Sequence, residues 1–153
     1  MEMPKPGAEH RKLKELAGAW EGTEVMYPSQ WDPKGGTATG RSHARIIVDG
    51  FALAIDYEQE RDGSITFRGH GVITFDKDDR CYVMHWFDSM GSPPEVFRGV
   101  FDGNTLTLAH GGPTMHVRMT YEVVGPTQMK SYMDMSPDGE NWNRLFDGDY
   151  SHP

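Results

Sequence analysis

Hydrophobic and polar residues alternate along most of the chain after residue 18. The alternation is clearest at 65–67, 106–108 and 117–121, where Thr or Arg separates large hydrophobic side chains. A period of two residues is typical of β-strands that bury one face and expose the other. The sequence therefore predicts a protein built almost entirely of strands.

Turn-forming residues interrupt this alternation at strand-length intervals, for example at 62–63, 102–104 and 137–139. They divide the chain into ten predicted strands: Trp20–Tyr27, Thr37–Val48, Phe51–Glu60, Ser64–Phe75, Arg80–Asp88, Glu95–Phe101, Thr105–His110, Met115–Val124, Gln128–Ser136 and Trp142–Tyr150. Before the first strand, Ala8 to Ala17 is rich in helix formers and is followed by Gly18. This pattern predicts one short amphipathic helix.

The links between the predicted strands are mostly two to five residues long. Links of this length form hairpins and are too short for helical crossovers, so neighbours in sequence should pair antiparallel. A flat ten-stranded sheet would leave two exposed edges, whereas closure removes both. We therefore predict an all-β fold, an up-and-down antiparallel β-barrel of about ten strands with room for a ligand in its lumen. The alternative is a two-sheet sandwich, which would have a dry core.

Length, charge and cysteine content limit the number of domains, the partners and the compartment that the sequence allows. The 153 residues fit one domain, with a leader and short helix at 1–17 and the barrel at 18–150. A net charge of −8 without a long basic run argues against a nucleic-acid partner. Cys81 is the only cysteine, which excludes an internal disulfide and fits a reducing compartment. With no export signal and no run of roughly 20 apolar residues, we expect a cytoplasmic protein without a membrane partner.

The segment Tyr82–Asp88 carries the densest set of candidate functional groups. A period of two places Trp86 and Asp88 on one face and His85 on the other. A His85 that faces the lumen could act as a general base, a polar anchor or an axial metal ligand. The alternative is a structural His85 that hydrogen-bonds a neighbouring strand.

Arginine and histidine recur together on other predicted strands. Arg68 and His70 share one face, and His116 and Arg118 repeat the arrangement. Such pairs can bind an anionic head group when they face a lumen, whereas on the outer face they would form surface ion pairs of little energetic weight. The predicted ligand-binding residues are Tyr57, Arg68, His70, His85, Trp86, Arg98, His116 and Arg118.

Two further features suit a binding lumen. Gly69 and Gly71 flank His70, and they would let a ligand or another backbone approach closely, or would let the strand bend. Ten methionines are many for this length; flexible thioethers suit a cavity for apolar ligands, although methionine is also ordinary core material.

Metal and cofactor motifs are absent from the sequence. The seven histidines show no His-x-His and no helical His-x-x-x-His spacing. There is also no Gly-x-Ser-x-Gly elbow, P-loop or dinucleotide fingerprint. We therefore predict no metal site and no cofactor.

Several segments resemble known families. A short helix followed by Gly18-x-Trp20-x-Gly22 resembles the start of calycin barrels, which include the lipocalins, the cytosolic fatty-acid-binding proteins and the nitrobindin-like haem barrels. Longer segments resemble the DUF1579 family of bacterial proteins of unknown function, in the same barrel superfamily. These segments are Trp31–Gly40, Asp56–Gly63, Phe67–Gly71, Tyr82–Gly91, Glu95–Arg98 and Met135–Gly139. The resemblance implies a calycin-like barrel and no specific activity. It also implies that Trp20 packs at the closed end against a basic side chain, for which we choose Arg144.

The leading hypothesis is a barrel that binds a small, partly apolar molecule in its lumen, with acids among the candidate ligands. A histidine, a tyrosine, a tryptophan and an arginine would line that lumen. The expected partner is a small hydrophobic or amphipathic molecule, and a homodimer is left open.

Two alternatives remain. The first is a nitrobindin-like haem barrel in which His85, His110 or His116 supplies the axial nitrogen. The resemblance counts against it, since those barrels take their histidine from near the C-terminal end, where only His152 is available. The second is a barrel enzyme that uses a lumen histidine, such as His85, with a cross-strand carboxylate for proton transfer.

Overall fold

Ten antiparallel strands close into a barrel in the computed structural model, which describes residues 1–153. The strands are β1 (Gly18–Met26), β2 (Gly36–Ile47), β3 (Ala52–Arg61), β4 (Ser64–Asp76), β5 (Cys81–Asp88), β6 (Glu95–Asp102), β7 (Thr105–Gly111), β8 (His116–Gly125), β9 (Gln128–Ser136) and β10 (Asn143–Ser151). Each strand pairs with the next and β1 pairs with β10, which confirms the predicted up-and-down barrel. Every strand begins and ends within two residues of its predicted bounds, because turn residues are local signals.

The N-terminal segment covers one end of the barrel. It forms a short α-helix, α1 (Ala8–Lys12), and continues as a 3₁₀ turn at Leu13–Leu16. Leu13 and Leu16 are buried in the main hydrophobic cluster of the barrel. The hydroxyl of Tyr82 donates a hydrogen bond to the carbonyl oxygen of Glu9 over 2.6 Å, which fixes the helix against β5. The predicted helix is therefore present and acts as a plug. Neither helical segment is long or apolar enough to cross a bilayer.

Trp20 lies at this closed end, but its predicted partner is wrong. The indole of Trp20 stacks on the ring of His152 with 4.0 Å between centroids, and its Nε1 donates to the carbonyl oxygen of Leu16 over 3.0 Å. Arg144 lies at the opposite end of the barrel and pairs with Asp134. The antiparallel register explains the difference, since the first residues of β1 lie beside the last residues of β10.

The interior is divided between a packed half and an open half. Near the closed end, fully buried side chains fill the barrel: Leu13, Leu53, Ile73, Leu106 and Leu108. The other end is surrounded by the longer connections at 27–35, 89–94, 112–115 and 137–142. The apolar core therefore does not extend through the whole lumen.

Candidate functional site

A cavity of about 490 Å³ occupies the open half of the lumen. Its wall is predominantly hydrophobic and includes seven of the ten methionines: Met26, Met84, Met90, Met119, Met129, Met133 and Met135. Thioether side chains are flexible and polarisable, so such a wall can adapt to apolar ligands of different shapes. At the rim, Trp31 and Met90 are largely exposed, which places two apolar side chains where a molecule would enter.

The indole of Trp86 forms one wall of this cavity. It packs over Gly69 and Gly71 of the neighbouring β4, where an added Cβ atom would lie only 2.2 Å and 2.9 Å from ring atoms. Its Nε1 donates to Oδ2 of Asp88 over 2.9 Å. The two glycines thus make room for a side chain of the barrel itself, and the ring is held by packing on one side and a hydrogen bond at its edge.

Glu24 of β1 is the least expected residue of the site, because it is a carboxylate with 0% of its surface exposed. Its Oε1 accepts from the Tyr57 hydroxyl at 2.7 Å and from Gln59 Nε2 at 2.8 Å. Its Oε2 accepts from the Tyr150 hydroxyl at 2.5 Å. Tyr57, Gln59 and Tyr150 line the cavity, so Glu24 lies directly behind the polar part of its wall.

Local sequence explains why this carboxylate fits. Gly40 of β2 lies opposite Gly22 of the neighbouring strand β1. A Cβ atom on Gly40 would come within 2.3 Å of Glu24 Oε2. Gly148 makes room for Tyr150 in the same way, because a Cβ atom on Gly148 would lie 2.1 Å from the Tyr150 hydroxyl oxygen. Both glycines are therefore needed by the side chains that form the polar wall.

The tyrosines of the cavity are held in their protonated form. Burial, together with the nearby Glu24 carboxylate, raises the pKa of Tyr57 and of Tyr150 far above the usual value. Burial alone raises the pKa of Tyr121 to about 12. Unlike the other two, the Tyr121 hydroxyl has no hydrogen-bond partner within the chain, so it is available to a molecule in the cavity.

Two of the eight predicted site residues, Tyr57 and Trp86, line the cavity. The other six lie on the outer face of the barrel: Arg68, His70, His85, Arg98, His116 and Arg118. The reason is strand parity. Gly69 and Gly71 point inward beside Trp86, so Arg68 and His70 between them point outward, and the same alternation holds on the other strands.

Most of these outward side chains have carboxylate partners. His70 Nδ1 lies 2.7 Å from Asp56 Oδ1, and Arg118 reaches Asp134 at 3.5 Å. Arg98 lies 3.6 Å from Asp76. Arg68 and His70 also border a concavity of about 520 Å³ on the outer surface, which mixes arginines, histidines and acidic residues. The predicted pairing of Arg68 with His70 on one face is therefore real, but the pair does not reach the lumen.

No histidine lines the cavity, so the residues proposed for histidine-ligated haem and for a lumen histidine base are not in place. His85 is exposed on the outside of β5. His110 lies near the mouth, with Nδ1 donating to the Val96 carbonyl over 2.9 Å and Nε2 lying 3.4 Å from Glu95. The structure also brings no three His, Cys, Asp or Glu side chains together in a metal-binding cluster.

Glu24, Gln59, Tyr121 and Tyr150 are absent from the sequence-based prediction. For Glu24 the signal was available, because Trp20 was expected to pack at the closed end of the barrel. Period two from Trp20 places Gly22, Glu24 and Met26 on the same face. Burial of a carboxylate on that face is unusual unless donors surround it, and those donors come from β3 and β10, which are distant in sequence.

Several solved structures share this fold. Rv2717c from M. tuberculosis is 15% identical with a TM-score of 0.72, covering 96% of this chain and 98% of that one. The S-type phycobiliprotein lyase CPES from Guillardia theta is 9% identical with a TM-score of 0.60, covering 97% and 98%. EF1p2_mFAP2b bound to DFHBI is 16% identical with a TM-score of 0.53, covering 95% and 100%. Identities this low indicate a common fold only.

Sequence comparison gives a narrower result. No curated protein matches the sequence of this chain. The family model described as "Protein of unknown function (DUF1579)" matches residues 5–152, nearly the full length, and this agrees with the resemblance noted in the sequence. The chain therefore belongs to the DUF1579 family.

Proposed function

We propose that this barrel binds a small, partly apolar molecule in the open half of its lumen. The observation that carries the proposal is a cavity of about 490 Å³ with a methionine-rich wall and a cluster of tyrosine and glutamine side chains at one side. Sites for small molecules typically measure about 300–1,000 Å³ and combine apolar walls with a few polar groups.

The structural relatives support the same class of function. One similar structure is bound to DFHBI, and another is a phycobiliprotein lyase. Both have barrels that align with nearly all of this chain. The likeness is one of fold, so it supports a lumen ligand by analogy and does not identify the ligand.

Within this site we assign contact roles to a small number of residues. Trp86 presents an indole held by Gly69 and Asp88, which suits stacking on a flat or aliphatic part of a ligand. Tyr57 and the unpartnered hydroxyl of Tyr121 offer hydrogen bonds to its polar part. An acidic head group loses its expected anchors, because the arginines proposed for it lie outside the barrel.

Blocking the cavity tests this proposal. Met133→Trp places a larger side chain on the cavity wall, and we expect it to weaken binding of the neutral dye Nile red by about tenfold or more, since overfilled apolar sites exclude ligands. The measurement is a fluorescence titration of the purified protein. Circular dichroism of each variant checks that the barrel still folds.

Val100→Trp is the matched control, because Val100 is exposed on the outer face of β6. It should bind Nile red as the unchanged protein does. Equal weakening by both substitutions, or no saturable binding to the unchanged protein, would contradict a ligand site in the lumen.

A further inference from the structure

The hydrogen bonds of Glu24 are those of a charged carboxylate. Its three hydrogen-bonding neighbours, Tyr57, Gln59 and Tyr150, all donate to it. An ionised carboxylate only accepts hydrogen bonds, so this arrangement matches the charged form. Glu24 is fully buried, and every one of these partners is neutral. A negative charge therefore lies behind the cavity wall without a cation of the chain to balance it.

A second carboxylate without an ion-pair partner, Asp88, lines the cavity itself. Asp88 accepts from Trp86 Nε1 and from the backbone N–H of Met90, each over 2.9 Å, and both donors are neutral. The two other acids of the wall each have a basic side chain beside them. Asp32 pairs with Arg61 at 2.8 Å, and Glu95 has His110 at 3.4 Å.

The cavity wall contains no lysine, arginine or histidine. Its polar groups are hydroxyls, an amide and carboxylates, and its aromatic faces include Trp86 and Tyr57. Charges interact strongly across an apolar cavity because little water screens them. The interior is therefore negative on both its buried side and its mouth side, with aromatic rings between that can also face a cation.

We infer that the ligand of this cavity is a cation, an amine or quaternary ammonium group joined to an apolar body. The inference rests on the proposed function and specifies the ligand class for the same site. An ammonium group beside Tyr57 and Gln59 would face hydroxyl and amide oxygens with Glu24 directly behind them. A carboxylate would instead face two like charges, neither of which has an ion-pair partner.

Three probes that share a similar apolar chain and differ in their head group separate the effect of ligand charge from that of hydrophobic burial. Octylamine, octanol and octanoate are titrated into the protein at neutral pH by isothermal calorimetry. We expect octylamine to bind about tenfold more tightly than octanol, and octanoate to bind most weakly of the three. Added salt should narrow the difference between amine and alcohol only slightly, since buried charges are poorly screened.

Two substitutions then test the source of the preference. Glu24→Gln and Asp88→Asn each remove a charge and keep a hydrogen-bonding side chain, and each should reduce the ratio of amine to alcohol affinity by at least about threefold. Asp149→Asn is the matched control, because Asp149 is an exposed carboxylate on the outside of β10 that bonds only Gln128. It should leave the ratio unchanged. If Glu24→Gln does not fold, the Asp88→Asn variant and the ratio of amine to alcohol affinity in the unchanged protein still test the inference.

The outcomes distinguish this inference from the proposed function. Equal affinity for amine and alcohol, or tighter binding of octanoate, would overturn the cationic ligand and leave a lumen site in place. Failure of all three probes to bind would overturn both.

Discussion

Glycine is required at position 69 by a side chain on another strand. The indole of Trp86 lies so close to β4 that a Cβ atom on Gly69 would come within 2.2 Å of Cζ2. The ring cannot retreat without losing the Asp88 hydrogen bond and moving into the cavity. This one contact therefore couples the β4 backbone to the shape of the site.

At this scale we predict that Gly69→Ala lowers the free energy of unfolding by about 1–3 kcal/mol, the usual cost of overpacking. Urea denaturation measures the change. Gly125→Ala is the control, because an added Cβ atom at Gly125 would meet nothing within 4 Å and its backbone is not in the left-handed region. Equal stability of the two alanine variants would show that Trp86 does not need the space.

The N-terminal segment is the element that makes one end of the barrel a core and leaves the other a cavity. Leu13 and Leu16 enter the lumen from the 3₁₀ turn and complete the hydrophobic cluster with Trp20. The segment is also held by a hydrogen bond from the hydroxyl of the buried Tyr82 and by the ion pair of Arg80 with Glu9. Since the ion pair is largely exposed, most of the stabilisation should come from the buried leucines.

We therefore predict that Leu13→Ala lowers the free energy of unfolding by about 2–5 kcal/mol, through lost burial and the cavity that remains. Lys14→Ala, one residue later on the exposed side, should change it by less than about 0.5 kcal/mol. Chemical denaturation of both variants checks the difference. A small effect of Leu13→Ala would mean that the barrel end is closed without this segment.

The buried tyrosines make the stability of the whole molecule depend on alkaline pH. Burial raises the pKa of Tyr82 and of Tyr121 to about 12, and the pKa values of Tyr57 and Tyr150 are raised further. The unfolded chain loses these protons near pH 10, whereas the folded chain keeps them. Stability from these groups is therefore complete below about pH 10 and is lost as the pH rises toward the folded values.

At this scale the expected result is a free energy of unfolding that falls steeply above about pH 10. Tyr121→Phe should leave stability at pH 7 nearly unchanged, because the Tyr121 hydroxyl has no partner in the chain. Above about pH 10 the same substitution should reduce the slope at which the free energy of unfolding falls with pH by up to about 1.4 kcal/mol per pH unit, the value for one proton. Urea denaturation between pH 7 and 12 measures both. An unchanged alkaline slope would contradict a protonated, buried Tyr121.

Much of the architecture follows from the sequence by itself. Period-two alternation marks the strands, and clusters of Gly, Pro, Asn and Asp mark the turns, so all ten strands were predicted within two residues of their observed bounds. Short links dictate antiparallel neighbours, and closure removes the exposed edges. These are local signals, and they do not depend on which face of a strand meets the core.

The site depended on that choice of face, and only the tertiary structure decided it. Alternation divides Phe67–Gly71 into two faces, yet Arg68 and His70 look as suited to a polar lumen as to a solvated surface. The decision came from β5, where Trp86 requires the glycine face of β4 to point inward. Glu24 is decided in the same way. A carboxylate can be buried there only because β3 and β10, far away in sequence, bring two hydroxyls and an amide to meet it.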